Sequence, residues 1–239
     1  MIDGIGDNNS LDYNHLFACL AEQIKLPLVQ VSSMVEALDL ASIQKIINDQ
    51  KVIMEINQSA LRLIDGFLLS VKLQRESQIN LEPVSIGSLL YEVSESLYGY
   101  AKSNNCEIEL DVANKCGLVM SHNQALKSAL INLGYSFISA SDKSSRRSIR
   151  LVANHNNKGI TTGVFSDSSA LTKSLFRNSK RIKGLAHQPM ASFSSDNATG
   201  VFIADSLFDS IGSTMKVSKR SGNTGLVTTL LPSHQLSLV

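Results

Sequence analysis

The sequence predicts an α+β protein, an N-terminal helical hairpin followed by a two-layer α/β sandwich. Three observations carry this prediction. Between Leu16 and Val71 apolar side chains recur at steps of three and four, the period of one helix face. From Cys106 to Val112 (CEIELDV) the pattern switches to alternation, the period of a half-buried strand. Beyond it, helix-like and strand-like segments interleave to the C-terminus, as a layered sandwich requires. The chain has 239 residues and is 43% hydrophobic, enough for a packed core in one large domain or two small ones.

The first helix carries Leu16, Leu20, Ile24, Leu28, Val31, Val35 and Leu38, with Pro27 loosening its backbone bonding. A break at Asp39–Ser42 precedes a second helix. Its seam runs Ile43, Ile46, Gln50, Ile53, Asn57, Ala60, Ile64, Phe67 and Val71. Two such helices form an antiparallel hairpin whose apolar stripe is wet when alone, so pairing of two copies into a four-helix bundle is expected. Asn80–Ser85, with Pro83, reads as a connector. Ser85 then caps a helix with Ile86, Leu89, Leu90, Val93 and Leu97 on one face. Gly117–Met120 reads as a short strand, and Ser121 as the cap of a helix reaching about Ser139. Ser148–Ala153 and Thr161–Phe165 read as strands around a turn at Asn154–Gly159. Leu171–Asn197 is polar, basic and weakly periodic, and reads as a long mobile loop with one helical turn at most. Gly200–Ile211 is helical, and Ser213–Ser218 and Leu226–Leu231 are closing strands. The expected organisation is a disordered stretch 1–10, a hairpin 11–78 and a second domain 79–239.

Composition excludes several function classes. Net charge is +1, so no strong field draws nucleic acid or an anionic membrane. Trp is absent and aromatics are 5%, against a stacking platform for bases. Cys19, Cys106 and Cys116 are far apart and odd in number, which fits reduced thiols rather than a disulfide framework. The opening MIDGIGDNNS lacks the character of a secretory signal, and no run has the length to span a bilayer. The expected location is the cytoplasm.

Several local stretches resemble sensor histidine kinases, in the family's order. LAEQIKLPL (Leu20–Leu28) is similar to the histidine box. LRLIDGFLLSVKLQ (Leu61–Gln74) resembles the end of the second dimerisation helix, and INLEPVSIGSLLYEV (Ile79–Val93) the entry into the catalytic domain. ALINLGYSFISAS (Ala129–Ser141) resembles the asparagine box. TGVFIADSLFDSIGSTMKV (Thr199–Val217) and TGLVTTLLP (Thr224–Pro232) resemble the last glycine box and the closing strands. The resemblance covers roughly residues 11–232. It implies a dimeric bundle followed by a sandwich of the histidine-kinase ATPase type.

Measured against that pattern, the chemistry is eroded. Anchored on Pro27, the acceptor histidine is replaced by Glu22, its acidic neighbour by Gln23, and the water-orienting position by Leu26. A carboxylate forms no phosphoramidate, an amide is no base, and a leucine orients no water. The plain reading of Glu22 is a solvated charge. His15 is the displaced candidate acceptor, although no acid follows it. His122, His155, His187 and His234 show no metal-ligand spacing. For ATP and magnesium, the resemblance assigns Asn132, Ser136 in place of a second asparagine, Asp167 as the adenine reader, and Gly200. Ser169 and Leu171 stand at glycine positions, where a β-carbon at positive φ costs on the order of 1 kcal/mol. Lys173, Arg177, Lys180, Arg181 and Lys183 occupy the lid.

The reading is a non-catalytic homodimeric scaffold of two-component signalling, with no cofactor and no metal. It would bind a receiver domain or another histidine kinase near Glu22, Gln23, Lys25 and Leu26. The alternatives are an ATP-binding kinase acting in trans, or an ATPase, and a phosphotransfer protein using His15.

Overall fold

The computed structural model describes residues 28, 29, 31, 33, 43–113, 116–140, 147–184 and 198–233. Residues 28, 29, 31 and 33 are helical. The first complete element, α1, is Ile43–Arg75. Then follow β1 (Glu82–Ser85), α2 (Ile86–Ser103), β2 (Cys106–Val112), β3 (Leu118–Ser121) and α3 (Asn123–Ala140). The chain continues through β4 (Arg147–Asn156), β5 (Gly159–Ser166), α4 (Ser169–Gly184), α5 (Ala198–Ser210), β6 (Lys216–Arg220) and β7 (Asn223–Leu230).

The main sheet has the order β2-β4-β5-β7-β6, with β2 and β4 parallel and every other pair antiparallel. One face carries Ile149, Leu151, Val164 and Leu226 into the main core beneath the helices. On the opposite face Val152, Phe165 and Val227 form a small buried apolar cluster. Two ion pairs lie on that second face. Arg150 donates from Nε (2.8 Å) and Nη2 (2.6 Å) to Glu109 Oε2, and Arg220 lies 3.4 Å from Asp111.

The helices form two tiers. α2, α3 and α4 lie on the sheet, and α5 is enclosed by α1, α3 and α4. Every residue of α5 from Ala198 to Phe208 is buried, as expected for ATGVFIADSLF, a helix apolar on nearly all sides. Its outer cover is the C-terminal half of α1. Leu63, Phe67 and Leu73 join the main core, and Gln74 Nε2 donates to Ser206 Oγ at 2.8 Å. The expected seam on α1 is therefore split. Ala60 and Phe67 are buried, whereas Gln50 and Asn57 are exposed. Met54, Leu61 and Leu68, one heptad apart, are also exposed.

Other expectations are corrected at several points. The connector Asn80–Ser85 contains the strand β1, which pairs antiparallel with β3 (Glu82 opposite Ser121, Pro83 opposite Met120). In a two-stranded sheet both strands are edges, which is where a proline is tolerated. Ser85 caps α2 as expected, but α3 is capped by His122 and not Ser121. The Ala125 amide donates to His122 Nδ1 at 3.2 Å, while Ser121 ends β3. The strands β4 and β5 are longer than expected. The closing hairpin turns at Ser221 and Gly222, both at positive φ (47° and 82°), so β6 and β7 start and stop differently from the expected segments.

The largest correction is α4, where a loop was expected. Its buried positions are Thr172, Leu175, Ser179 and Ile182, at steps of three, four and three. Half of this face is hydroxyl-bearing, which hides it from a hydrophobic pattern. The hydroxyls bond to backbone and so are buried without an unmet donor. Thr172 shares its hydroxyl between the carbonyls of Thr224 (3.0 Å) and Ser168 (3.2 Å), and Ser179 donates to Phe176 O at 2.8 Å. The N-terminal cap is Ser168, whose Oγ accepts from the Leu171 amide. Ser169 and Leu171 therefore sit in a helix, and the positive-φ penalty expected at these positions does not arise.

Candidate functional site

The positions that the sequence assigns to nucleotide chemistry separate into two places. Asn132 and Ser136 are one turn apart on α3 and face α5, where Gly200 lies in the first turn. All three are buried, Asn132 at 0% and Ser136 at 5% exposure. The Asn132 amide nitrogen donates to the Ser128 carbonyl at 2.9 Å, and Ser136 Oγ donates to the Asn132 carbonyl at 2.9 Å. Gly200 is required by the crossing itself. A β-carbon there would collide with Ser136 Oγ and come within 3.0 Å of the Asn132 carbonyl.

From the other side, α1 presses Gly66 against the same spot. A β-carbon at Gly66 would come within 2.9 Å of Asn132 Nδ2 and of Ile203 Cγ2. Three helices thus meet at Asn132, and its side chain is wedged between them. Its Oδ1 is buried and accepts no hydrogen bond. Sequence reasoning passed over Gly66, whose signal is a lone glycine inside a long helical pattern.

Asp167 is not part of this cluster. It follows β5 on the rim, partly exposed, 3.7 Å from Arg147, and it accepts from Ser166 Oγ at 3.2 Å. Directly after it the chain turns into α4, which lies down on β5, β7 and α5. Two polar contacts hold α4 there, the Thr172 hydroxyl on the Thr224 carbonyl and Lys180 on Asp205 at 2.6 Å. Asp205 is 1% exposed, an acid in the buried stretch Ala198–Phe208 of α5. Such an acid is retained when a cation meets it, and Lys180 does so from the next helix. The sequence offered the signal, one carboxylate in ATGVFIADSLF, but nothing in it names the partner.

The described contacts tie these positions to the protein itself. Ser136 is engaged by Asn132 and closed over by Gly200. The Asn132 amide is packed against α1 and α5, and Asp167 faces Arg147. Among the described residues no cluster of three or more His, Cys, Asp or Glu has metal-binding geometry.

Glu22, Gln23, Lys25, Leu26 and His15 lie outside the described residues. Beside Gly66 a groove of about 370 Å³ runs between α1 and α3, lined by Gln58, Leu61, Arg62, Asp65, Lys127 and Ile131 among others. Arg62 stacks over the Tyr135 ring at 3.3 Å and donates to Ser59 Oγ at 3.1 Å. Burial lowers its pKa to about 10, with Tyr135 and Tyr100 opposing the shift. Among the described residues no helix is long and apolar enough to cross a membrane.

No family model matches the chain, and no curated protein matches it. Solved structures do. The histidine kinase ThkA, in complex with the response regulator protein TrrA, is 16% identical over 90% of this chain and 60% of its own, with a TM-score of 0.56. Full-length ShkA in complex with AMPPNP is 16% identical over 92% and 46%, with a TM-score of 0.53. The Acinetobacter baumannii histidine kinase AdeS is 12% identical over 88% and 97%, with a TM-score of 0.52. The chain therefore has a histidine-kinase-like fold, with helices leading into an ATPase-type sandwich, as its sequence resemblance predicts. At such identities the likeness speaks for fold alone.

Proposed function

We propose that this protein is a two-component signalling scaffold that keeps the histidine-kinase fold without its phosphoryl chemistry. The observation that carries this reading is the use made of Asn132, Ser136 and Gly200. They close a three-helix crossing with Gly66, and their side chains are engaged by protein contacts there. The sequence points the same way, with Glu22, Gln23 and Leu26 at the acceptor, base and water-orienting positions.

A scaffold of this kind works by holding partners. The helical N-terminal part supplies a dimerisation hairpin spanning 11–78, and the sandwich spans 79–239. The exposed heptad Met54, Leu61 and Leu68 supports association of two copies, since it is an apolar stripe along a helix of 33 residues. The partner is a receiver domain or another histidine kinase, taken up on the helices near Glu22, Gln23, Lys25 and Leu26. That one solved relative of this fold is in complex with a response regulator supports the choice. The site of action is the cytoplasm.

The test is a binding titration of the purified dimer against receiver domains and kinase cores from the same cell. Saturable binding that weakens in Glu22→Arg/Leu26→Arg supports the reading. Absence of affinity for any of them overturns it.

A second reading, an ATP-dependent kinase acting in trans, is favoured by one observation. The buried Asn132 Oδ1 accepts no hydrogen bond, and a magnesium ligand would satisfy it. It requires α1 or α5 to move away from Gly66 and Gly200. The third reading, phosphotransfer through His15, predicts acid-labile label on the protein that is lost in His15→Ala.

A further inference from the structure

One helix of the sandwich carries a charge pattern that the scaffold role leaves unexplained. α4, SALTKSLFRNSKRIKG, holds five basic residues and no acid, and β6, KVSKR, also lacks any acid. In a chain whose net charge is only +1, this is a strong local excess. The buried side of α4 is fixed by Thr172, Leu175 and Ile182. The opposite side therefore presents Lys173, Arg177 and Arg181 at i, i+4 and i+8, all exposed. The edge strand β6 adds a further exposed base, Lys219. Its register partner is Thr224, whose carbonyl receives the Thr172 hydroxyl. None of these four side chains has an ion-pair partner among the described residues, whereas Lys180, on the inner flank, is held by Asp205.

We infer that this face of α4 is a docking surface for an acidic surface of a partner protein. Charge complementarity sets the sign. From Lys173 to Arg181 the stripe is about 12 Å long, the rise of two helical turns and a little more. A compact acidic patch matches that length, whereas a long polyanion would overrun it onto a molecule with almost no net charge. Among the described residues of α4 the one aromatic, Phe176, is partly buried against the core and offers no open ring for stacking bases. The apolar side of α4 is already packed on the sheet and α5, so the helix has no free apolar face for a bilayer among its described residues. This inference stands whether or not the contacts proposed near Glu22 exist.

The probe is a fluorescent glutamate-rich peptide, titrated at low salt and compared with a duplex DNA and with phosphatidylserine-containing vesicles. The expected result is peptide binding that falls about tenfold or more in K173E/R177E/R181E. The neutral variant K173Q/R177Q/R181Q is expected to lose part of it. The control K72E/K102E/K158E, with the same charge change at exposed lysines elsewhere, is expected to bind as wild type. Circular dichroism of each variant confirms that the fold is kept. No binding by the wild type, equal loss in the control, or tighter binding of duplex or vesicles would overturn the inference.

Discussion

α5 is held by two neighbours in two different ways. Against α3 the contact is tight and made from small groups, with Gly200 on Ser136 and on the Asn132 carbonyl, and α1 closes it from outside through Gly66. Against α4 the contact combines the apolar side chains of Leu175 and Ile182 with an ion pair, Lys180 to Asp205, and the Thr172 hydroxyl fixes the other end of α4 on β7. The first joint tolerates no added atom. The second is a latch that single substitutions release. The lesson is that the asparagine-box positions are locked by close packing of small groups, while α4 adds polar contacts to its apolar face, so the two joints are expected to respond differently to single substitutions.

The largest expected effect is at the tight joint. Gly200→Val forces branched carbon into Ser136 and is expected to destabilise by about 3 kcal/mol. Thermal unfolding should then fall by roughly 9 °C for a domain of this size. An unchanged midpoint would show that the crossing is loose. Next comes Lys180→Ala, which takes the Lys180 ammonium away from buried Asp205. Because Lys180 is partly in water, a loss of about 2 kcal/mol is expected, below the range for a fully buried pair. Hydrogen exchange should speed up in α4 while α3 stays protected, and parallel loosening of α3 would erase the distinction between the joints. Thr172→Val is the smallest step. It removes one buried hydrogen bond at nearly constant shape and should cost about 1 kcal/mol, read as a small shift in denaturant midpoint.

This contrast also explains which parts of the molecule were legible in the sequence. α2 was legible because its cap, Ser85, and its face, Ile86 to Leu97, follow the plain helical pattern, and β2 because CEIELDV alternates. α4 was not, because half its buried face is Thr172 and Ser179, residues that a hydrophobic period does not count. Their burial depends on backbone carbonyls, one of which, that of Thr224, lies 52 residues away. The cap of α3 was misplaced by one residue because an imidazole nitrogen at His122 takes the role that a hydroxyl at Ser121 would be expected to fill. The candidate site was legible in part. Asn132, Ser136 and Gly200 do converge, but as a packing knot. Only tertiary contact reveals that, because the two glycines that make it, Gly66 and Gly200, are far apart in the chain. Asp167 remains apart from them, paired with Arg147.

The most direct measurement is a calorimetric titration of the intact protein with millimolar ATP in the presence of magnesium. With Asn132, Ser136 and Gly200 closed into the helix crossing, the expected result is a flat trace, unchanged in Asp167→Ala. A saturable, magnesium-dependent heat that Asp167→Ala abolishes would contradict the account.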